Sequence, residues 1–104
     1  MLDKTEVRKI ATNYAGEVRK VLNPQTIILF GSHVNGVPHE NSDVDIAVVV
    51  NDYQGDMLQT WKELCRISWN MPGYIEPHLL DELHDQSGFL AHVKKTGEII
   101  YQSA

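Results

Sequence analysis

Residues 26–50 read TIILFGSHVNGVPHENSDVDIAVVV, and this stretch decides the fold. Thr26–Phe30 is a continuous apolar run that is too short for a helix and rich in β-branched residues, which predicts a buried strand. Val44–Val50 is apolar in the same way apart from one acidic residue and predicts a second strand. The intervening residues 31–42 contain glycine and proline, so we expect them to form part short helix and part loop.

Five further elements surround these two strands. Three segments carry apolar side chains at steps of three or four residues, which predicts amphipathic helices, and two short segments predict strands. The predicted helices span residues 3–22, 56–70 and 87–96, and the predicted strands span residues 74–80 and 98–101. Asp3 is the predicted N-cap of the first helix and Gly97 the predicted C-cap of the last. Pro77 cannot donate a hydrogen bond to a neighbouring strand, so we expect its strand either at an edge of the sheet or with a break in its hydrogen bonding.

The order helix, strand, strand, helix, strand, helix, strand is typical of an α/β (α+β) domain. We therefore expect a small mixed β-sheet flanked by helices that lie on one side of it. The 104 residues predict a single domain over residues 1–104, and they leave no room for a second domain. A binding partner is then expected on another chain or on a second copy, as a hetero- or homo-oligomer.

Composition and charge exclude several classes of protein. Cys65 is the one cysteine, which suits a reducing compartment, and no apolar run approaches the roughly 20 residues of a membrane helix, so we expect a cytoplasmic protein that does not enter a membrane. The formal net charge of -5 argues against direct nucleic-acid binding, because proteins that bind nucleic acids normally present a basic face. Residues 40–85 hold ten acidic and two basic groups, which fits either a hard-cation site or a solvated acidic face.

The chemistry is predicted where the first strand ends and the second begins. Gly31 lets the backbone turn sharply and approach a ligand, and Ser32 offers a hydroxyl and an N–H to phosphate oxygens. Asp43 and Asp45 are two residues apart, so on a strand both carboxylates point to one face. Their repulsion is relieved by a cation, and Mg²⁺ commonly uses one or two carboxylates together with substrate phosphates.

Glu76 is the third candidate carboxylate, on a strand that could lie beside Val44–Val50. It could complete a magnesium site or accept the proton of an attacking hydroxyl, and the alternative is an exposed glutamate at a sheet edge. Together these acids predict nucleotidyl transfer, in which one or two metal ions and the triphosphate are positioned by the protein.

Gly31-Ser32, ten intervening residues, Asp43-Val44-Asp45 and a later carboxylate resemble the signature of the nucleotidyltransferase superfamily typified by DNA polymerase beta and kanamycin nucleotidyltransferase. Ser42 before the first aspartate fits the same pattern. The chain length and the ending FLAHVKKTGEIIY at residues 89–101 are similar to the minimal nucleotidyltransferase subfamily.

This resemblance implies the polymerase beta-like fold, ATP as substrate and magnesium as the metal. It implies an antitoxin that transfers AMP to a tyrosine of a HEPN-domain toxin, with Gly31, Ser32 and Asp43 binding the nucleotide and Asp43, Asp45 and Glu76 binding the metal and catalysing transfer. The alternatives are an antitoxin that acts only by binding, and an adenylyltransferase of small molecules such as antibiotics. Two positions depart from the family pattern, which often has arginine where this chain has His33 and aspartate where it has Glu76.

The other histidines and the tryptophans have two interpretations each. His33 and His39 flank the predicted phosphate loop and could contact a nucleotide. His78 follows Glu76 by two residues and could share its face, and the alternative is a partly exposed strand residue. Structural zinc is disfavoured because no closely paired ligands occur. Core packing is the default for Trp61 and Trp69, and the alternative is an anchor for a partner protein.

Overall fold

The computed structural model describes residues 3–35 and 43–103. The elements in chain order are α1 (Lys4–Val18), β1 (Thr26–Phe30), α2 (Ser32–Asn35), β2 (Val44–Val50), α3 (Met57–Trp69), β3 (Ile75–Asp81), a 3-10 turn (Glu82–His84), α4 (Phe89–Thr96) and β4 (Glu98–Gln102). Residues 36–42, which include the predicted loop, His39 and Ser42, lie outside the described residues. Within the ranges given above, none of the helices has the length and apolar character needed to cross a lipid bilayer.

The four strands form one mixed sheet in the order β3-β2-β1-β4. β1 is antiparallel to both β2 and β4, whereas β2 and β3 are parallel. The predicted edge position of the third strand is confirmed, because β3 is the outermost strand on its side. The indole Nε1 of Trp61 donates a hydrogen bond of 3.0 Å to the carbonyl of Pro77, so α3 also covers part of this edge.

Helices cover both faces of the sheet. On one face α1 and α3 enclose the larger core, whose buried residues include Tyr14, Ile27, Leu29, Ile46, Val48 and Leu64. On the other face Leu90 and Val93 of α4 pack against Ile28, Ala47 and Val49. The expectation of helices on one side is therefore wrong. The reason is that β1 and β2 are apolar at successive positions, so both of their faces need cover from water.

The helix ends follow local chemistry. The side chain of Asp3 accepts a hydrogen bond of 2.8 Å from the N–H of Glu6, which confirms the predicted N-cap. α1 ends at Val18, four residues before the predicted boundary at residue 22. Turns replace the helix there, since the N–H of Lys20 bonds to the carbonyl of Glu17 and that of Val21 to the carbonyl of Val18. Gly97 is the C-cap of α4, as predicted.

The two tryptophans correct the default prediction of core packing. Trp61 is 41% exposed and Trp69 is 79% exposed, so neither lies in the core. The buried face of α3 consists of Leu64 and Ser68. The hydroxyl of Tyr14 links α1 to this helix by donating a buried hydrogen bond of 2.7 Å to the carbonyl of Leu64.

Two glycines offer a matched test of this packing. A Cβ at Gly97 would lie 2.5 Å from Cγ2 of Ile28 and 2.7 Å from the carbonyl oxygen of Val93, whereas a Cβ at Gly16 would meet nothing within 4 Å. We expect Gly97→Ala to lower the free energy of unfolding by roughly 1–3 kcal/mol through overpacking. Gly16→Ala, inside α1, should raise it by about 0.5–1 kcal/mol. Urea unfolding followed by circular dichroism measures both, and equal stability of Gly97→Ala and wild type would contradict the packing of α4 on β1.

Candidate functional site

The sheet register brings the predicted acids to one end of the sheet. Asp45 on β2 is paired with Phe30 at the end of β1 and with Glu76 at the start of β3. Because registered residues on neighbouring strands share a face, Asp45 and Glu76 lie side by side. Val44 points the other way and is fully buried in the larger core.

The turn after β1 packs directly against Asp45. Gly31 has φ +87°, and a Cβ placed on it would lie 2.2 Å from Oδ2 and 3.1 Å from Cγ of Asp45. A side chain at this position would therefore suffer both a left-handed backbone and a collision with the carboxylate. The close approach of Gly31 to a ligand stays a prediction, and the structure shows instead a close approach to Asp45. Ser32 follows as the first residue of α2 and is half-buried.

Three possible metal ligands converge at this point. Asp45, Glu76 and His78 each present one donor atom, and these atoms lie within 4.8 Å of one another. The Nε2 atom of His78 is 3.4 Å from Oδ1 of Asp45. Two ligands bound at about 2.1 Å to one ion lie about 3 Å apart when adjacent and about 4 Å apart when opposite. The 3.4 Å between His78 and Asp45 lies in this range, and the 4.8 Å limit for the three atoms exceeds it by less than 1 Å, so the three side chains could hold one divalent ion after a small adjustment.

The charge at this cluster is unfavourable without a cation. Partial desolvation of its carboxyl raises the pKa of Glu76, although the residue as a whole is exposed. The negative charge of Asp45, a hydrogen bond shared with Asp45 and the charge of Asp43 raise that pKa further, and His78 acts in the opposite direction. A divalent ion between the carboxylates would replace the proton they share and remove the repulsion.

Asp43 lies at the rim of this arrangement. It is exposed and immediately precedes β2, and the cluster of three donors does not include it. Its charge still raises the pKa of Glu76, so the two carboxyl groups interact. The N–H of Val44 donates a hydrogen bond of 2.6 Å to the carbonyl of Tyr74, which holds the start of β2 beside the start of β3.

The two histidines near the predicted site occupy different places. His33 is buried and lines a cavity of about 240 Å³ with Lys4, Arg8 and Glu98, whose lining does not include the acidic cluster. His78 instead belongs to the cluster. Its spacing of two residues from Glu76 indicated a shared face, but its ring also contacts Phe30 and Phe89, and sequence reasoning did not anticipate these neighbours from β1 and α4.

Solved structures share this fold. A candidate nucleotidyltransferase from Sulfolobus solfataricus is 22% identical with a TM-score of 0.71, and the alignment covers 95% of this chain and 83% of that one. A chain of a toxin–antitoxin structure with AMP-PNP is 24% identical with a TM-score of 0.62, and a mutant of the toxin–antitoxin MntA-HpeT is 21% identical with a TM-score of 0.59. Both alignments cover 88% of this chain and 73% of the other.

Family comparison gives a more specific result than these structural likenesses. No curated protein matches the chain. The family model described as polymerase beta, nucleotidyltransferase matches residues 9–104, which include both the Gly31 turn and the three-donor cluster. Because this match covers most of the sequence and the sheet has the corresponding fold, the chain belongs to the polymerase beta nucleotidyltransferase family.

Proposed function

We propose that this protein is a magnesium-dependent nucleotidyltransferase that transfers AMP from ATP to a hydroxyl of a partner protein. The partner in this proposal is a HEPN-domain toxin modified on a tyrosine, so that the chain acts as its antitoxin. The observation that carries the proposal is the contact between the Gly31 turn and the carboxylate of Asp45, beside Glu76. This contact supports the proposal because the turn that would bind phosphate lies against acids that would bind the metal.

Asp45 and Glu76 would hold the metal, and Asp43 would join them from the rim. Bound magnesium would supply charge neutralisation to the triphosphate and to the pyrophosphate that leaves. The carboxylates of this chain would hold the ion without any rearrangement of the strands, because register already pairs Asp45 with Glu76.

The Gly31 turn is proposed to hold the triphosphate. The hydrogen-bond donors to the phosphate oxygens would be the backbone N–H groups of Gly31 and Ser32 and the hydroxyl of Ser32. The acceptor oxygen forms a bond to the α-phosphorus, and the bond from that phosphorus to the bridging oxygen breaks to release pyrophosphate. In the alternative role of Glu76, with the ion held by Asp43 and Asp45, its carboxylate would instead accept the proton of the acceptor hydroxyl.

A protein acceptor is supported by the surface beside the cluster. Trp61 and Trp69 of α3 line a cavity of about 460 Å³ together with Glu76 and His78. Trp69 is 79% exposed and the nearby Tyr74 is 74% exposed. Exposed aromatic side chains are frequent anchors of protein interfaces, so a partner seated on them would bring its hydroxyl next to Glu76. Two solved structures with this fold come from toxin–antitoxin systems.

Removal of the acids tests the proposed chemistry. Asp43→Asn combined with Asp45→Asn should lower AMP transfer at least about 100-fold, because the metal and the charge of the transition state lose their ligands. Transfer is measured with magnesium, ATP labelled at the α-phosphate and, as the toxin candidate, the product of the neighbouring gene. In EDTA the variant should melt at or above the wild-type temperature, since repulsion at Glu76 is relieved.

Asp52→Asn is the matched control for this variant. Asp52 is an exposed acid with φ +52°, a conformation that asparagine accepts readily, and it lies outside the cluster. Transfer by Asp52→Asn should equal wild type. Unchanged transfer by the double variant would refute the mechanism, and a tight complex without any transfer by wild type would favour an antitoxin that acts by binding alone.

Alanine at two left-handed glycines tests the contact with Asp45. Gly31 and Gly88 have φ +87° and +77°, but a Cβ at Gly88 would meet nothing within 4 Å. Both substitutions should cost about 1–2 kcal/mol of stability through backbone strain. Only Gly31→Ala displaces the Asp45 carboxylate, so it should also weaken binding of magnesium and ATP about 10-fold or more in calorimetric titration. Equal affinities of the two variants would show that this contact does not position the site.

Trp69→Ala tests the partner surface. We expect it to weaken binding of the toxin candidate about 30-fold, the value for loss of roughly 2 kcal/mol at an interface anchor, without changing magnesium affinity. Ile99→Ala is the control, because Ile99 is 53% exposed on β4 at the opposite edge of the sheet. Surface plasmon resonance measures the affinity of both variants for the partner. If Trp69→Ala bound as tightly as wild type, the partner would have to bind another face of the domain.

A further inference from the structure

His78 is held with its ring nitrogen facing the acidic cluster. Its side chain is 29% exposed, and Nε2 lies 3.4 Å from Oδ1 of Asp45. The ring packs edge-on against Phe30 with centroids 5.1 Å apart and is tilted against Phe89 at 6.1 Å. Phe30 and Phe89 themselves pack edge-on at 5.8 Å, so β1 and α4 together restrict the orientation of the imidazole.

The distance to Asp45 is more typical of two metal ligands than of a strong hydrogen bond. Charge-assisted N–H···O bonds are usually about 2.7–2.9 Å long, shorter than the 3.4 Å between Nε2 and Oδ1. Adjacent ligands of one ion are about 3.0–3.4 Å apart for octahedral and tetrahedral geometry at bonds of about 2.0–2.1 Å. The Glu76 donor atom completes the group within 4.8 Å.

We propose that His78 binds the same ion as Asp45 and Glu76, through its ring nitrogen, and that the site therefore prefers Mn²⁺ and similar transition ions to Mg²⁺. This inference rests on the proposed function and refines it, since transfer would run with Mg²⁺ as proposed while Mn²⁺ would bind the same site more tightly. Imidazole is a poor ligand for Mg²⁺, which takes oxygen donors, whereas transition ions accept both nitrogen and oxygen. A purely carboxylate site would discriminate less between the two ions.

The competing role for His78 is to position Asp45 without touching the ion. A positioning residue would influence affinity for Mg²⁺ and Mn²⁺ alike, because it acts on the shared carboxylate. A nitrogen ligand would contribute chiefly to Mn²⁺ and would be magnetically coupled to it. The two roles therefore differ in a spectroscopic signature as well as in metal selectivity.

The test is pulsed electron paramagnetic resonance of Mn²⁺ bound to the full chain with a non-hydrolysable ATP analogue. We expect nitrogen modulation from a directly bound imidazole, and a change in its frequencies when histidine is labelled with ¹⁵N. His78→Gln should abolish the modulation and weaken Mn²⁺ binding about 10-fold or more, with magnesium affinity changed no more than about twofold. His92→Gln, at an exposed residue of α4, should behave as wild type.

Three outcomes would overturn the inference. Bound Mn²⁺ without nitrogen modulation in wild type would exclude His78 as a ligand, whether or not any variant folds, because isotope labelling needs no substitution. Modulation that persists in His78→Gln would assign the nitrogen to another residue. If no divalent ion binds, both this inference and the proposed function fail. If AMP transfer occurs with a bound metal that shows no coupled nitrogen, this inference alone fails.

Discussion

The structure of the site depends on the contact between the backbone of Gly31 and the carboxylate of Asp45. Antiparallel pairing of β1 and β2 places Phe30 opposite Asp45, so the chain leaves β1 directly over the acid. Gly31 has φ +87°, and a Cβ added to it would lie only 2.2 Å from Oδ2 of Asp45. Glycine alone tolerates both the left-handed backbone and the close approach of the carboxylate. The turn and the acid are thus fixed by sheet register, which is more rigid than a loop.

The apolar strands explain why the acids can gather at one end. β2 is buried from Ile46 to Val50, and α4 covers this part of the sheet through Leu90 and Val93. The start of β2 and the start of β3 lie beyond that cover, where Asp45 is 22% exposed in its side chain and Glu76 is exposed. The buried apolar part of β2 stabilises the sheet, and the starts of β2 and β3 keep enough contact with solvent to tolerate the negative charge of the acids.

Local patterns predicted the features that local chemistry determines. Apolar runs gave both central strands, Pro77 gave an edge strand, Asp3 gave a helix cap, and the spacing of Asp43 and Asp45 indicated an acidic site. Contacts between distant segments were beyond such patterns. The cover on both faces, the exposure of Trp69 and the aromatic neighbours of His78 depend on where α3 and α4 dock, and no short stretch of sequence specifies that.

The measurement that tests the central claim most directly is anomalous diffraction from crystals of the protein grown with Mn²⁺ and a non-hydrolysable ATP analogue. We expect a manganese peak about 2.2 Å from carboxylate oxygens of Asp45 and Glu76, with triphosphate oxygens against the backbone of Gly31 and Ser32. A manganese peak away from these acids, or a triphosphate bound elsewhere on the sheet, would contradict the account.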